Sequence, residues 1–183
     1  LDVLALCPTS APPDTCAVPA HSVCNNQLGT EGWCAVFAAL RDNKENKIES
    51  WDLSRQGITP DIAKVLAEYV SVSGVMKDLS IAHNGEIMGE AAQQLAAAAL
   101  GSKSLEVLSE VPIKELREDK LTELELTFKV LGPTEGIVLA ELIKFSAVLT
   151  TLSLASNNLT NNGEDMSGVK AIADALSSNA VLT

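Results

Sequence analysis

Four cysteines carry most of the chemistry this sequence could do. Cys7, Cys16, Cys24 and Cys34 all lie at or before position 34, and no cysteine follows. As a disulfide framework they allow three pairings, among which the sequence does not choose. Such a staple belongs to an oxidising compartment, a secreted protein or an organelle lumen. As reduced thiols they would indicate a reducing one. As zinc ligands they lack a C-x-x-C pair, because gaps of eight, seven and nine residues separate them, even with His21 nearby. A thiolate activated by His21 would be a nucleophile or a redox centre, yet nothing in the sequence brings the two together. His83, the other histidine, reads as a turn residue. No H-E-x-x-H, G-x-S-x-G, Walker or G-x-G-x-x-G motif is present. The carboxylates of Asp61, Glu86 and Glu90 fall at helix beginnings, where they suit the dipole without any catalytic role. We therefore expect no catalytic residue, metal or cofactor; a thiol-redox protein is the enzymatic reading that the cysteines leave open.

Composition narrows the partners. A net charge of −11 would repel phosphate backbones and anionic lipid surfaces, so nucleic acid is not an expected partner and a protein with a basic surface is. No apolar run approaches the roughly 18 residues needed to span a bilayer, so no direct membrane insertion is expected. Aromatics make up only 3% of the chain. Its core must be built from Leu, Ile, Val and Ala, which suits a stack of thin layers.

The elements that would position any site come from an internal repeat. LTELELTFKVLGPTEGIVLAELIKFSAV, starting at Leu121, is followed by LTTLSLASNNLT, so Leu121, Leu124, Leu126 and Leu131 recur 28 residues later as Leu149, Leu152, Leu154 and Leu159. This is the L-x-x-L-x-L-x-x-N-x-L pattern of leucine-rich repeats. The expected fold is an α/β solenoid, with short parallel β-strands on a concave face, α-helices on the convex face and an irregular, cysteine-containing N-terminal cap. Residues 1–46 read as a Pro/Cys-rich extension ending in a capping helix over Gly32 to Asp42. Residues 47–183 read as repeats, with rungs starting near 48, 76, 105, 121 and 149 and another begun at 182, which implies that the natural chain continues. Large-small pairs such as Leu66-Ala67, Leu95-Ala96, Leu139-Ala140 and Ile172-Ala173 mark where adjacent helices should pack closely. The third rung is only 16 residues long, with Glu110 where an apolar residue should be and a single helical turn at Pro112 to Leu116, so the curvature should change there. The fifth carries five extra residues in TNNGEDMSG, expected to form a longer loop. Gln56 and Lys129 replace the turn asparagine seen at Asn84 and Asn157, so those two turns should be looser. Asn158-Leu159-Thr160 is a glycosylation sequon, at odds with a buried Leu159.

Side chains alternate along a strand, so the residues flanking the inner leucines point outward. That set is Ser50, Asp52 and Ser54; Asp78, Ser80 and Ala82; Val107 and Ser109; Glu123, Glu125 and Thr127; Thr151, Ser153 and Ala155. Within it, Ser50, Asp52, Asp78, Ser80, Glu123, Glu125, Thr151 and Ser153 are the candidate partner-binding residues, small or acidic and without the Trp, Tyr or Arg anchors that dominate hot spots.

The 28-residue unit resembles the ribonuclease-inhibitor-like subclass of leucine-rich repeats over about residues 47–183. The resemblance implies a strand followed by a helix in each rung, and protein binding through the concave face or rim. WDLSRQGI and VPIKELRED resemble variant rungs of repeat proteins from single-celled algae, which implies a plastid as one compartment. Two functional expectations result. One is a non-enzymatic interaction module whose acidic concave face takes a protein partner. The other is a structural, peripheral subunit of a larger, membrane-embedded assembly.

Overall fold

The computed structural model describes residues 3–4 and 28–182. The strands are β1 (Val3–Leu4), β2 (Ser50–Asp52), β3 (Asp78–Ser80), β4 (Val107–Leu108), β5 (Glu123–Glu125) and β6 (Thr151–Ser153). The helices are α1 (Gly29–Asp42), α2 (Pro60–Val72), α3 (Gly89–Gly101), α4 (Ile113–Arg117), α5 (Pro133–Ile143) and α6 (Ser167–Ser178). Each strand from β2 on precedes a helix, and every ladder is parallel. Trp51 stands beside Leu79 and Leu124 beside Leu152, the 28-residue register of the sequence. The chain is thus a mixed α/β repeat with short parallel strands.

Cys7, Cys16, Cys24 and His21 lie outside the described residues. Cys34 carries a free, half-buried thiol in α1, and no cysteine pair stands at disulfide distance among the described residues, so the staple has no support. Burial, and then the Asp61 carboxylate, push that thiol up from its ordinary value, away from the thiolate that redox chemistry requires.

Two local devices make each layer close on the next. Three residues before the first leucine of a rung stands a Ser or Asn whose side chain accepts that rung's first amide: Ser73 for Met76, Ser102 for Leu105, Ser146 for Leu149 and Asn179 for Leu182. At the other end of the strand, Asn84 donates to the Leu53 carbonyl (2.8 Å) and accepts from the Ile58 amide (3.0 Å) of the preceding rung. Asn157 repeats this with the Leu126 carbonyl (2.7 Å) and the Leu131 amide (3.1 Å). Gln56 bonds only the nearby Ser54 carbonyl, and Lys129 pairs with Glu110 instead. Among the described residues neither side chain bonds the backbone of the rung before it, while Asn84 and Asn157 tie both turns to the rung that follows.

The helices pack in the order α1, α2, α3, α5, α6. Leu66-Ala67, Leu95-Ala96 and Leu139-Ala140 are buried at these contacts, whereas Ala173 is exposed, since among the described residues no helix follows α6. At the first rung the scarce aromatics concentrate, with Phe37 5.4 Å from Trp33, 5.5 Å from Trp51 and 6.3 Å from Tyr69 between ring centroids. Each such buried ring contributes about 1.5–3 kcal/mol.

The third rung departs from the rest. After β4 the chain reverses through Ser109 and Glu110, both left-handed (φ 45° and 74°), and Leu108 and Val111 exchange backbone hydrogen bonds across the turn. Val111 thereby fills the apolar place that Glu110 cannot, and α4 buries Ile113 and Leu116. The outer edge of β4 is closed by its own turn, so the sheet divides into β1-β2-β3-β4 and β5-β6. Because α4 has only five residues, α3 packs directly on α5. Arg117 of α4 donates to the carbonyls of Ala99, Leu100 and Ser102, satisfying the C-terminal end of α3.

The insertion in the fifth rung is more than a long loop. Asn161 is buried and donates to the Gly85 carbonyl at 2.6 Å, and Asp165 accepts from the Gly89 amide at 2.7 Å. The loop therefore reaches back to the second rung across the place where the third is short. Within it Asn158 accepts from the Asn162 amide, and Leu159 packs on the core, so the sequon sits on an engaged segment.

Candidate functional site

One face of the short parallel strands carries their outward residues. Asp78, Glu123, Glu125 and Thr151 are exposed, and Ser50, Asp52, Ser80 and Ser153 are half-buried. Ser109, expected on this face, is instead buried by the left-handed turn, with its hydroxyl accepting from the Ile81 amide at 2.9 Å. Ser153 Oγ lies 2.7 Å from Thr127 Oγ1, which occupies both hydroxyls within the face.

The carboxylates fall into two groups. Asp52 and Asp78 stand on the first sheet, where the turn that buries Ser109 adds Glu110, a residue not among the expected set. Burial, then the charges of Glu110 and Asp52, raise the Asp78 carboxyl above its ordinary value. Among the described residues these three like charges have one ion-pair partner, Lys129, whose Nζ is 3.2 Å from Glu110. On the second sheet, the hydroxyl and the amide of Thr127 hold Glu125 below the usual carboxylate range. The break in the sheet separates the two groups. Among the described residues no cluster of three or more His, Cys, Asp or Glu is arranged to hold a metal.

At the C-terminal ends of the strands, one repeat position is left-handed in four rungs: Arg55 (φ 59°), His83 (61°), Phe128 (59°) and Ser156 (56°). These residues form the rim of the face. His83 is a turn residue as expected, and its Nε2 lies 3.3 Å from Arg55 Nη2. The third rung turns away too early to contribute, and between His83 and Phe128 it leaves a hollow of about 510 Å³. Ser80, Ala82 and Ser109 line it along the sheet, with Arg55 and His83 on one side and Glu110, Phe128, Lys129 and Val130 on the other.

Phe128 is 75% exposed. Left-handed backbone at a bulky or β-branched residue is a true outlier, costing about 1–3 kcal/mol, and both Phe128 and Val130 (φ 56°) adopt it. An exposed ring gains nothing inside the chain to offset that. The outward strand positions carry no aromatic or arginine anchor; Arg55 and Phe128 sit one residue before the turn position, where the repeat pattern places no requirement on side chain and so gives no signal.

No family model matches this chain, and no curated protein matches it. Among solved structures, the chain is similar to a tropomodulin C-terminal domain of Caenorhabditis elegans, at 17% identity and a TM-score of 0.41, over 82% of this chain and 92% of that one. A likeness at this level says nothing of partners. The resemblance to the ribonuclease-inhibitor-like subclass and its algal-type variants does not hold: no family model and no curated protein matches the chain to support it.

Proposed function

We propose that this chain is a non-enzymatic interaction module, a repeat solenoid whose acidic concave face binds a protein partner through basic groups. The observation that supports the reading is the grouping of Asp52, Asp78 and Glu110 on one face, where burial first and then the charges of Glu110 and Asp52 raise the Asp78 carboxyl. Grouped carboxylates with Lys129 as their one ion-pair partner among the described residues are relieved by cations from another chain, and such complementarity accelerates and orients docking. Asp52, Asp78, Glu123 and Glu125 all changed to Lys should abolish capture of the proteins retained by the wild-type chain at low salt, and the wild-type capture should weaken steeply as salt rises. Equal capture by both chains removes the proposal.

A second reading, a peripheral subunit docked by its helical flank, is favoured by a different observation. Val72 and Phe145, at the C-terminal ends of α2 and α5, are 60% and 77% exposed. Changing both to Ser should release the chain from any large assembly with which it sediments, and continued co-sedimentation would exclude this edge.

A further inference from the structure

The hollow on the rim has the shape and the charge of a seat for one particular kind of side-chain pair. We infer that it receives an aromatic residue of the partner protein, with an acidic residue beside it. The inference rests on the concave-face reading and names the anchor which that reading lacks.

The floor of Ser80, Ala82 and Ser109 is made of small side chains, so a ring can settle close to the sheet. About 510 Å³ accommodates one large side chain together with the backbone that bears it. Phe128 offers its exposed ring as one wall, in position for offset or edge-on aromatic contact. Opposite stands Arg55. Lys129 is paired with Glu110, but Arg55 has no carboxylate within ion-pair distance among the described residues, and its one side-chain neighbour at hydrogen-bonding distance is the His83 ring. The hollow thus presents an uncommitted guanidinium on the rim of an otherwise acidic face. Its complement is a carboxylate next to the aromatic residue, while flanking basic residues meet Asp52 and Asp78. Guanidinium, exposed ring and small floor together make a seat that a docked aromatic side chain would desolvate, the setting in which binding energy concentrates.

A fluorescein-labelled peptide, Lys-Ser-Lys-Trp-Asp-Ser-Lys, tests this by anisotropy. It should bind saturably, and Phe128→Ala and Arg55→Glu should each weaken it by about tenfold. Phe128→Leu, which keeps an apolar wall, should retain part of the affinity; unchanged melting curves guard against misfolding. A second peptide with Lys in place of Asp should bind the wild-type chain poorly and regain affinity for the Arg55→Glu chain. Affinity indifferent to Phe128→Ala and Arg55→Glu overturns the inference, as does the absence of binding at any accessible concentration. If affinity is lost only when Asp52, Asp78, Glu123 and Glu125 are reversed, the hollow is excluded and the concave face stands. If neither set of changes matters, both fall.

Discussion

Asp165 accepts a 2.7 Å hydrogen bond from the backbone N–H of Gly89, 76 residues earlier in the chain. Gly89 opens α3, and its preceding residue Met88 supplies no side-chain cap. A carboxylate from the fifth rung therefore does what a local Ser or Asp does elsewhere, at the positive end of the helix dipole.

Asp165→Ala should then destabilise the fold by about 1–2 kcal/mol, lowering the melting midpoint by about 2–4 °C for each kcal/mol in a chain of this size. The effect depends on pH. Burial raises the Asp165 carboxyl, but hydrogen bonds from Ser167 and the Gly89 amide outweigh it and hold the group below its ordinary value. Its stabilising contribution is thus complete above the unfolded value of about 3.9 and is lost as pH falls through the lower, folded value. Melting curves of wild type and Asp165→Asn should converge in acid; a constant gap would show that the charge is not involved.

Glu135 has the opposite sign. It is buried in the first turn of α5, where its carboxylate accepts from the Gly132 amide at 3.0 Å. Desolvation raises its carboxyl, only partly opposed by the Ser109 hydroxyl and nearby amides. Between the ordinary and the raised value the folded state holds the extra proton, so stability declines as pH rises through that window and is level above it. Glu135→Gln retains an acceptor for Gly132 without the charge. Its melting midpoint should exceed that of the wild type at neutral pH and match it in acid, and a deficit at neutral pH would contradict this account.

Helices α5 and α6 approach through two glycines. A Cβ on Gly168 would lie 3.0 Å from the Leu159 carbonyl oxygen and from both Cα and O of Pro133. These are backbone atoms that cannot swing aside. Overpacking of about 1–3 kcal/mol should outweigh the gain of about 1 kcal/mol that Ala brings to a helix. Gly168→Ala should lower the urea midpoint, whereas Gly101→Ala, with nothing near its would-be Cβ, should not.

The regular rungs were legible because one requirement repeats in them. Leu79, Leu108 and Leu124 are buried on strands at the spacing read from the leucines, and Thr59 with Pro60 starts α2 as its residue types require. That Gln56 and Lys129 do not bond as Asn84 does was legible for the same reason, but Asn84 and Asn157 tie both of those turns from the following rung. Two features were not. Ser109 and Glu110 carry no Gly or Asn to announce a left-handed turn, so the burial of Ser109 and the outward placement of Glu110 came from tertiary packing. The bond from Asp165 to Gly89 links rungs that the sequence separates by 76 residues, and no local pattern encodes it. Both belong to the shortened rung, and so does the hollow beside it.

Phe128 offers the sharpest contrast between stability and binding. Its left-handed backbone (φ 59°) favours Asn over an aromatic residue, and its ring is mostly in water. Phe128→Asn should relieve strain and stabilise the chain by about 0.5–1 kcal/mol, with little burial lost. The same change removes the wall opposite Arg55, so affinity for the tryptophan-bearing peptide should fall. Functional positions commonly show this exchange of stability for activity. Calorimetric melting and peptide anisotropy on the same sample decide it: a variant that melts lower would mean the ring contributes to the fold, and one that binds equally well would mean the strain has no binding role.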